Sequence, residues 1–276
     1  MSLSVNTNQS ALVALQNLNS TNDKMGSVQN RIATGLRIQN AKDNAAVWSI
    51  AQDQRGDIGA LGAVKMSLDR AASIAEVSMT AGESISDLLV QIREKVVAAG
   101  DPSLDTASRN ALNADYKSLL KQLTQVTGAA TFDGANTLNG TLSGGIRFLA
   151  SADGASFITL SVKDMTLGGS IITLGAASSI GTVTSAAAVL SDLTASLANV
   201  NSALGDLGAQ AKQIEAHNLF VSKLTDVLET GVGNLVDADL AKESARLQAL
   251  QVQQQLGAQA LSIANQSPQV ILSLFK

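Results

Sequence analysis

The chain lacks cysteine, has a single histidine and two prolines, and carries only 3 % aromatic residues in 276. Without cysteine there are no disulfides and no thiolate ligands. With His217 as the lone imidazole, neither a histidine metal cluster nor a Ser-His-Asp or Cys-His arrangement can be assembled. Zinc-hydrolase, phosphate-loop and EF-hand spacings are missing. No catalytic, cofactor-binding or metal-binding residue is therefore expected, and His217 reads as a helix-surface residue. Gly56, Gly59 and Gly62 follow no strand, so close helix packing or local bending is expected there, not phosphate binding. No run of about 18 apolar residues suggests a membrane span. The first residues show no basic n-region and no h-region, so export would need a route without a cleavable signal. A net charge of −4 gives no general attraction to nucleic acid or anionic membranes.

Charge is also missing from both ends. Met1 to Asn22 contains no Asp, Glu, Lys or Arg, and neither does Leu247 to Phe275. Both stretches still read as helices with an apolar stripe, their polar positions filled by amides and hydroxyls. A free surface helix carries a charged face. An amide face suits a seam between protein neighbours, where ions would be costly to desolvate. Both ends are expected to pack against other copies.

What is abundant is Ala, Leu, Val, Ser, Asn and Gln, the composition of long helices packed through small side chains. Ala11, Leu18, Met25 and Ile32 share one heptad position, with Leu15 beside them, and Gly35 marks the helix end. A second pattern starts near Asp43, with Leu61, Leu68, Ala75, Leu89 and Val96 in register. It predicts a helix of about 55 residues, ~80 Å long at 1.5 Å per residue. Gly100-Asp101-Pro102 should stop it. A shorter helix is expected from about Thr106 to Val126. Ile146–Leu149 and Phe157–Val162 read as two strands around an Asp153-Gly154 turn; Gly168–Gly181 reads as a short strand or a loop. Leu193, Val200, Leu207, Ile214, Val221 and Leu228 then hold one heptad position without a miss. Gly231, Gly233 and Val236-Asp237-Ala238 mark a joint. The last helix is expected from about Leu240 to Asn265, with Ala245, Ala249, Val252, Leu256, Ala260 and Ile263 as its stripe and Asp237 and Asp239 capping it. Trp48 and Phe132 read as core residues.

The fold class expected is mainly α: a long antiparallel helical bundle or coiled coil with a small β-hairpin region, the termini paired in a second coiled coil. Residues 1–42 and 237–276 form the terminal unit. Residues 43–236 form the bundle, with the β region at about 128–181. The terminal unit buries little by itself, so it should order only when a neighbour covers it.

Ser4-Val5-Asn6-Thr7-Asn8, Asn17-Leu18, Arg31-Ile32-Ala33-Thr34-Gly35-Leu36-Arg37-Ile38 and Ala41-Lys42-Asp43-Asn44-Ala45-Ala46 resemble the amino-terminal signature of bacterial flagellins. Asp237-Ala238-Asp239-Leu240-Ala241-Lys242-Glu243, Gln254-Gln255-Leu256-Gly257 and Ala264 through Leu274 resemble the carboxy-terminal one. The short middle is similar to compact alphaproteobacterial members that keep only the inner domains. The resemblance implies a secreted, extracellular structural subunit that polymerises with itself or with paralogous flagellins into the flagellar filament. It implies passage through the flagellar type III export apparatus, a flagellin chaperone, and addition under a filament cap beyond hook–filament junction proteins. The terminal coiled coil would form an inner tube and the bundle an outer one. The expected assembly interface comprises Leu15, Leu18, Met25, Ile32, Val252, Leu256, Ile263, Leu272 and Leu274 on the terminal helices. Arg31, Arg37, Lys42 and Asp43 join it at the joint between the two domains. A junction protein that caps instead of elongating, a secreted helical enzyme or adhesin, and an intracellular scaffold are the alternatives.

Overall fold

The computed structural model describes residues 8–273, with side chains through residue 266. Its elements run α1 (Gln9–Thr34), α2 (Ala45–Ala99), α3 (Thr106–Ala129), β1 (Ile146–Leu149), β2 (Phe157–Leu160), α4 (Val183–Val236) and α5 (Leu240–Ser273). Two compact units arise: residues up to Gly56 together with those from Val227 on, and Asp57–Asp226.

Local chemistry sets the helix boundaries. Asn8 Oδ1 accepts from Ala11 N at 3.1 Å to start α1, and Gly35, at φ 72°, ends it by donating to Arg31 O. Asp105 caps α3 by accepting from Ser108 N at 3.0 Å. Thr182 and Ser185 cap α4 reciprocally, each backbone N–H donating to the other's hydroxyl at 3.1 Å. Asp239 starts α5 by accepting from the amides of Ala241 and Lys242, whereas Asp237 pairs as a bridge with Leu36. Two expectations shift. Helix α4 continues through Gly231 and Gly233 and breaks only after Val236, and α5 runs beyond Asn265 to Ser273.

The central unit is closed around one core. Helices α2 and α4 run antiparallel: Asn218 Nδ2 donates to Asp69 Oδ1 at 2.5 Å, and Ser86 Oγ to Asn201 Oδ1 at 3.4 Å. At Gly82 a Cβ would stand 2.6 Å from Leu204 Cδ2, so glycine here spares the Leu204 side chain a shift. Leu68, Ile74, Ile85, Leu89 and Ile92 are fully buried from α2, and Leu193, Val200, Leu207 and Ile214 from α4. Tyr116 and Leu123 join them from α3. Burial pushes the Tyr116 hydroxyl pKa up, against a 2.5 Å hydrogen bond with Ser178 Oγ. Strands β1 and β2 pair antiparallel with Ile146 opposite Leu160. The hairpin is tied down by Ser161 N donating to Gln210 Oε1 at 2.7 Å and by His217 Nε2 meeting Ala150 O at 2.7 Å. His217 is therefore a half-buried clip, not a free surface residue. Residues 168–181 form loops without a strand. Phe132, expected in the core, is 38 % exposed, and Trp48 is half-buried. Nothing lies within 4 Å of a Cβ built at Gly56, Gly59 or Gly62, so close packing within the chain does not explain them.

By length and composition α4 holds a window, mean hydropathy 1.2, apolar enough to cross a membrane, which the sequence reading did not find. Its main heptad row is instead buried in the central unit through Val221.

Candidate assembly interface

The terminal unit is built on the pairing of α1 with α5. On α1 the inward positions are Ala11, Ala14, Leu18, Thr21, Met25, Val28 and Ile32, half-buried except Val28, which is buried. They alternate by threes and fours, the spacing of a coiled-coil seam. On α5 the inward positions are Glu243, Leu247, Leu250, Gln254, Gly257, Leu261 and Ala264. Gly257 lets the helices meet, since a Cβ there would stand 3.3 Å from Leu18 Cδ1. Gln254 Nε2 donates to Asn22 Oδ1 across the pair at 2.8 Å.

This corrects the stripe read for α5. Val252, Leu256 and Ile263 lie outside the buried seam with α1; they are 55, 59 and 64 % exposed. Leu15 on α1 is 43 % exposed, beside Leu12 and Val13. Each helix thus has an inner seam and a second apolar face left open. Between them, Val13, Asn17, Leu256, Ala260 and Ile263 line an open groove of about 710 Å³.

At the base of the unit a clasp joins the front of the chain to its back. Arg37 N and Ile38 N both donate to Val236 O, and Ala238 N donates to Gly35 O at 2.8 Å. Arg37 Nη2 adds a bond to Leu235 O at 2.9 Å. Arg31 Nη1 lies 3.4 Å from Glu243 Oε1 in an ion pair whose carboxylate is nine-tenths buried. Glu243 Oε2 is buried with no hydrogen-bond partner among the described residues. Such a pair is weak as a source of stability, but losing either partner is costly. Asp43 Oδ2 accepts from Gln39 N and Asn40 N, closing the connection into α2. Lys42 is exposed, its backbone N–H bonded to Asn40 Oδ1.

The other end of the pair is pinned by an amide. Pro268 lies within α5 and has no N–H, so it cannot donate to the carbonyl four residues back, Ala264 O. Asn8 Nδ2 donates to that oxygen at 2.7 Å while its Oδ1 caps α1. One side chain starts α1 and satisfies the acceptor that the proline frees.

The structure therefore divides the expected interface residues into groups. Leu18, Met25 and Ile32 are in the seam within the chain. Arg31 and Arg37 are in the clasp, and Asp43 closes the turn beside it. Leu15, Val252, Leu256 and Ile263 are open, as is Lys42. The Leu272 side chain and all of Leu274 fall outside what is described. Glu243, Leu250 and Gly257 were missed as seam residues. Their signal was the seven-residue spacing Glu243-Leu250-Gly257-Ala264, hidden because its first member is charged and its third has no side chain.

The N-terminal helical region of bacterial flagellin matches residues 5–143, and the C-terminal helical region matches 190–275. The chain belongs to the bacterial flagellin family. Flagellin FljJ of Caulobacter vibrioides is 59 % identical over 280 residues, covering 100 % of this chain and 99 % of that protein. Other flagellins of that organism match along nearly the whole chain. Among solved structures, Bacillus cereus flagellin shares the fold at a TM-score of 0.50 and 19 % identity, over 56 % of this chain and 87 % of that one. A putative flagellar hook-associated protein from Vibrio parahaemolyticus shares it at 0.59 and 13 %, over 71 % and 100 %. Flagellins are structural proteins, not enzymes, that self-polymerise into the flagellar filament, and this chain is a filament subunit by family.

Proposed function

We propose that this flagellin leaves the cell through the flagellar type III export apparatus, escorted by a flagellin chaperone, and adds at the filament tip under a cap. The terminal pair of each copy packs against the pairs of its neighbours as the inner tube, and the helical bundle forms the outer one. The interface is the open apolar face of Leu15, Val252, Leu256 and Ile263, with Leu272 and Leu274 assigned to it from the sequence. Leu18, Met25 and Ile32 hold each pair together. Arg31, Arg37, Lys42 and Asp43 set the base of the terminal unit, with Arg31 and Arg37 holding the clasp.

One observation carries this reading: a helix pair with three large aliphatics of α5 more than half exposed and no charged residue between Leu247 and Phe275. In a lone subunit these side chains would face water. A neighbouring pair would remove them from it, a gain of about 1–2 kcal/mol for each, since full burial of a large aliphatic is worth about 1.5–3 kcal/mol and these are already partly covered. The long carriage of apolar surface also fits a chain that crosses a narrow channel unfolded and folds its ends only at the tip.

Two assays test the reading. The chain should appear in the sheared extracellular fraction of motile cells and stay inside cells whose flagellar export gate is inactive; secretion without the gate would remove the export claim. Purified chain added to short filament seeds should elongate them into long filaments. Short caps that block further growth would favour a hook–filament junction role, whose fold the Vibrio protein shares.

A further inference from the structure

We propose that the central unit carries the two halves of a subunit contact on different faces. A knob of Leu219 and Phe220 on α4 of one copy seats in the open trough between α2 and α3 of a second copy. The proposal rests on the reading of the chain as a self-polymerising subunit.

The knob is an anomaly for a solvated helix. Leu219 and Phe220 are 57 and 56 % exposed, adjacent, in a chain with few aromatics. Asn218, just before them, reaches α2 through Asp69 at 2.5 Å. Steps of about 100° per residue then turn the next two side chains off the α2-facing side of the helix. Phe220 is also braced. Its ring lies 5.8 Å from that of His217, which is itself held at 2.7 Å from Ala150 O. An aromatic fixed outward on a rigid helix loses little side-chain entropy on docking, as interface anchors do.

The trough has a matching character. Val77 and Ala81 of α2 and Val126 and Ala129 of α3 line an open volume of about 580 Å³, which Phe132 borders at 38 % exposure. A backbone bridge between Phe132 and Ala135 shapes the turn that carries Phe132, with an exposed Arg70–Asp133 pair at 3.0 Å beside it. Exposed Glu76 lines the trough, and the knob lies between exposed Glu215 and Lys223, one turn to either side along α4, so the Lys223 side of the knob is the one that complements Glu76. Charges placed this way set register and orientation more than affinity.

Symmetry selects a second copy as the occupant. The knob lies on α4 and the trough between α2 and α3 of the same compact unit, and both are open in the subunit, so a chain does not fill its own trough. A contact between unlike faces is head-to-tail. It propagates along a helix unless the rotation closes it, whereas a two-fold dimer needs one self-complementary patch. A subunit that grows into a filament requires the first kind.

The absence of native cysteine makes the test clean. Full-length chain carrying both Ala129→Cys and Ala216→Cys, the second one turn before Phe220 on an exposed position of α4 so that the knob stays whole, is polymerised on seeds, oxidised mildly and run on a non-reducing gel. The expected result is a ladder of cross-linked multimers from the double variant, none from either single variant, and dimers when the two singles are mixed before growth. Filaments of normal length that yield only monomer bands overturn the contact and leave the filament reading intact. Failure of the unaltered chain to elongate seeds overturns the reading beneath it. A second arm needs no cysteine. Glu76→Lys and Lys223→Glu alone should each slow elongation at low salt by about two- to fivefold, the range of an exposed charge pair. Combining them should restore the rate; no recovery in the double reversal contradicts the pairing.

Discussion

In the central unit, Leu68, Ile74, Ile85, Leu89 and Ile92 reach essentially zero exposure on one helix. In the terminal unit, the aliphatics of α1 and α5 that are buried among the described residues are Val28 and Leu250, while Leu12, Val13, Leu15, Val252, Leu256 and Ile263 stay more than two-fifths exposed. Both regions are heptad-patterned helices built from similar residues. The difference lies in how many neighbours each helix has. In the central unit, α2, α3, α4 and the hairpin surround a common interior. In the terminal unit two helices meet along one seam, and a helix pair can hide only one face of each member. The apolar residues on the other faces must wait for another chain. The comparison teaches that a sequence pattern specifies a buried face, while the architecture decides whether burial happens within a subunit or between subunits.

The strongest way to break that comparison is proteolysis. In monomer, protease should remove the terminal helices and leave a stable fragment of about residues 45–235; in filaments the same sites should be protected. Mass spectrometry of the fragments checks this, and ends that resist digestion in a verified monomer would erase the distinction between the units.

Next in size is Leu89→Ala. Leu89 is fully buried, so its truncation should destabilise the monomer by about 3–5 kcal/mol, transfer and cavity terms together. Chemical denaturation of monomer reads it directly. A loss under about 1 kcal/mol would mean that the core can collapse around the gap.

Asn8→Ala should have a smaller effect, confined to the terminal unit. It removes the α1 cap and leaves Ala264 O without its donor, together about 1–2 kcal/mol. The melting temperature of assembled filaments should fall while that of monomer stays put. Equal changes in both would place Asn8 in the wrong unit.

The smallest effect is one of pH. Hydrogen bonds from Ser103 lower the Asp101 pKa, those from Ser108 lower Asp105, and those from Ser151 and Ala155 lower Asp153, each from an ordinary 3.8. A lowered folded value means that the carboxylates support the fold above pH 3.8 and lose that support as pH drops through the folded values. All three are in the central unit, so its melting temperature should decline slightly in that acid window. Asp105→Asn, which keeps a cap acceptor without the charge, should flatten part of the decline; an unchanged pH profile would mean that the charge of this cap contributes nothing.

The two regions also differ in how well their residues announced them. Helix α2 and the Leu193-to-Val221 row of α4 were legible because most seam positions are large aliphatics, Ala75 and Gly82 of α2 excepted, and the helices end at Gly100 or start at Thr182. The hairpin was legible from alternating Ile146-Arg147-Phe148-Leu149 around Asp153-Gly154. The inner face of α5 was not. Its seam begins with Glu243, whose charge is held by Arg31 from another helix, and includes Gln254 and Gly257, chosen for the amide bond to Asn22 and for close approach to Leu18. A one-helix reading picks the most apolar stripe, and on α5 that stripe points outward. The pairing of Asn8 with the acceptor freed by Pro268 was hidden for the same reason, since its two halves are 256 residues apart.

Leu256 offers the most direct test of the claim that the neutral ends are an assembly seam. It is 59 % exposed, so Leu256→Asp should leave monomer helicity and melting unchanged. In the filament the same change would put a carboxylate into an apolar seam, at a cost of several kcal/mol. The measurement is the elongation rate of seeded filaments, with Asp192→Asn as a surface control. The account predicts normal growth for the control and growth abolished or greatly slowed for Leu256→Asp. Filaments of Leu256→Asp that elongate at the unaltered rate would contradict it.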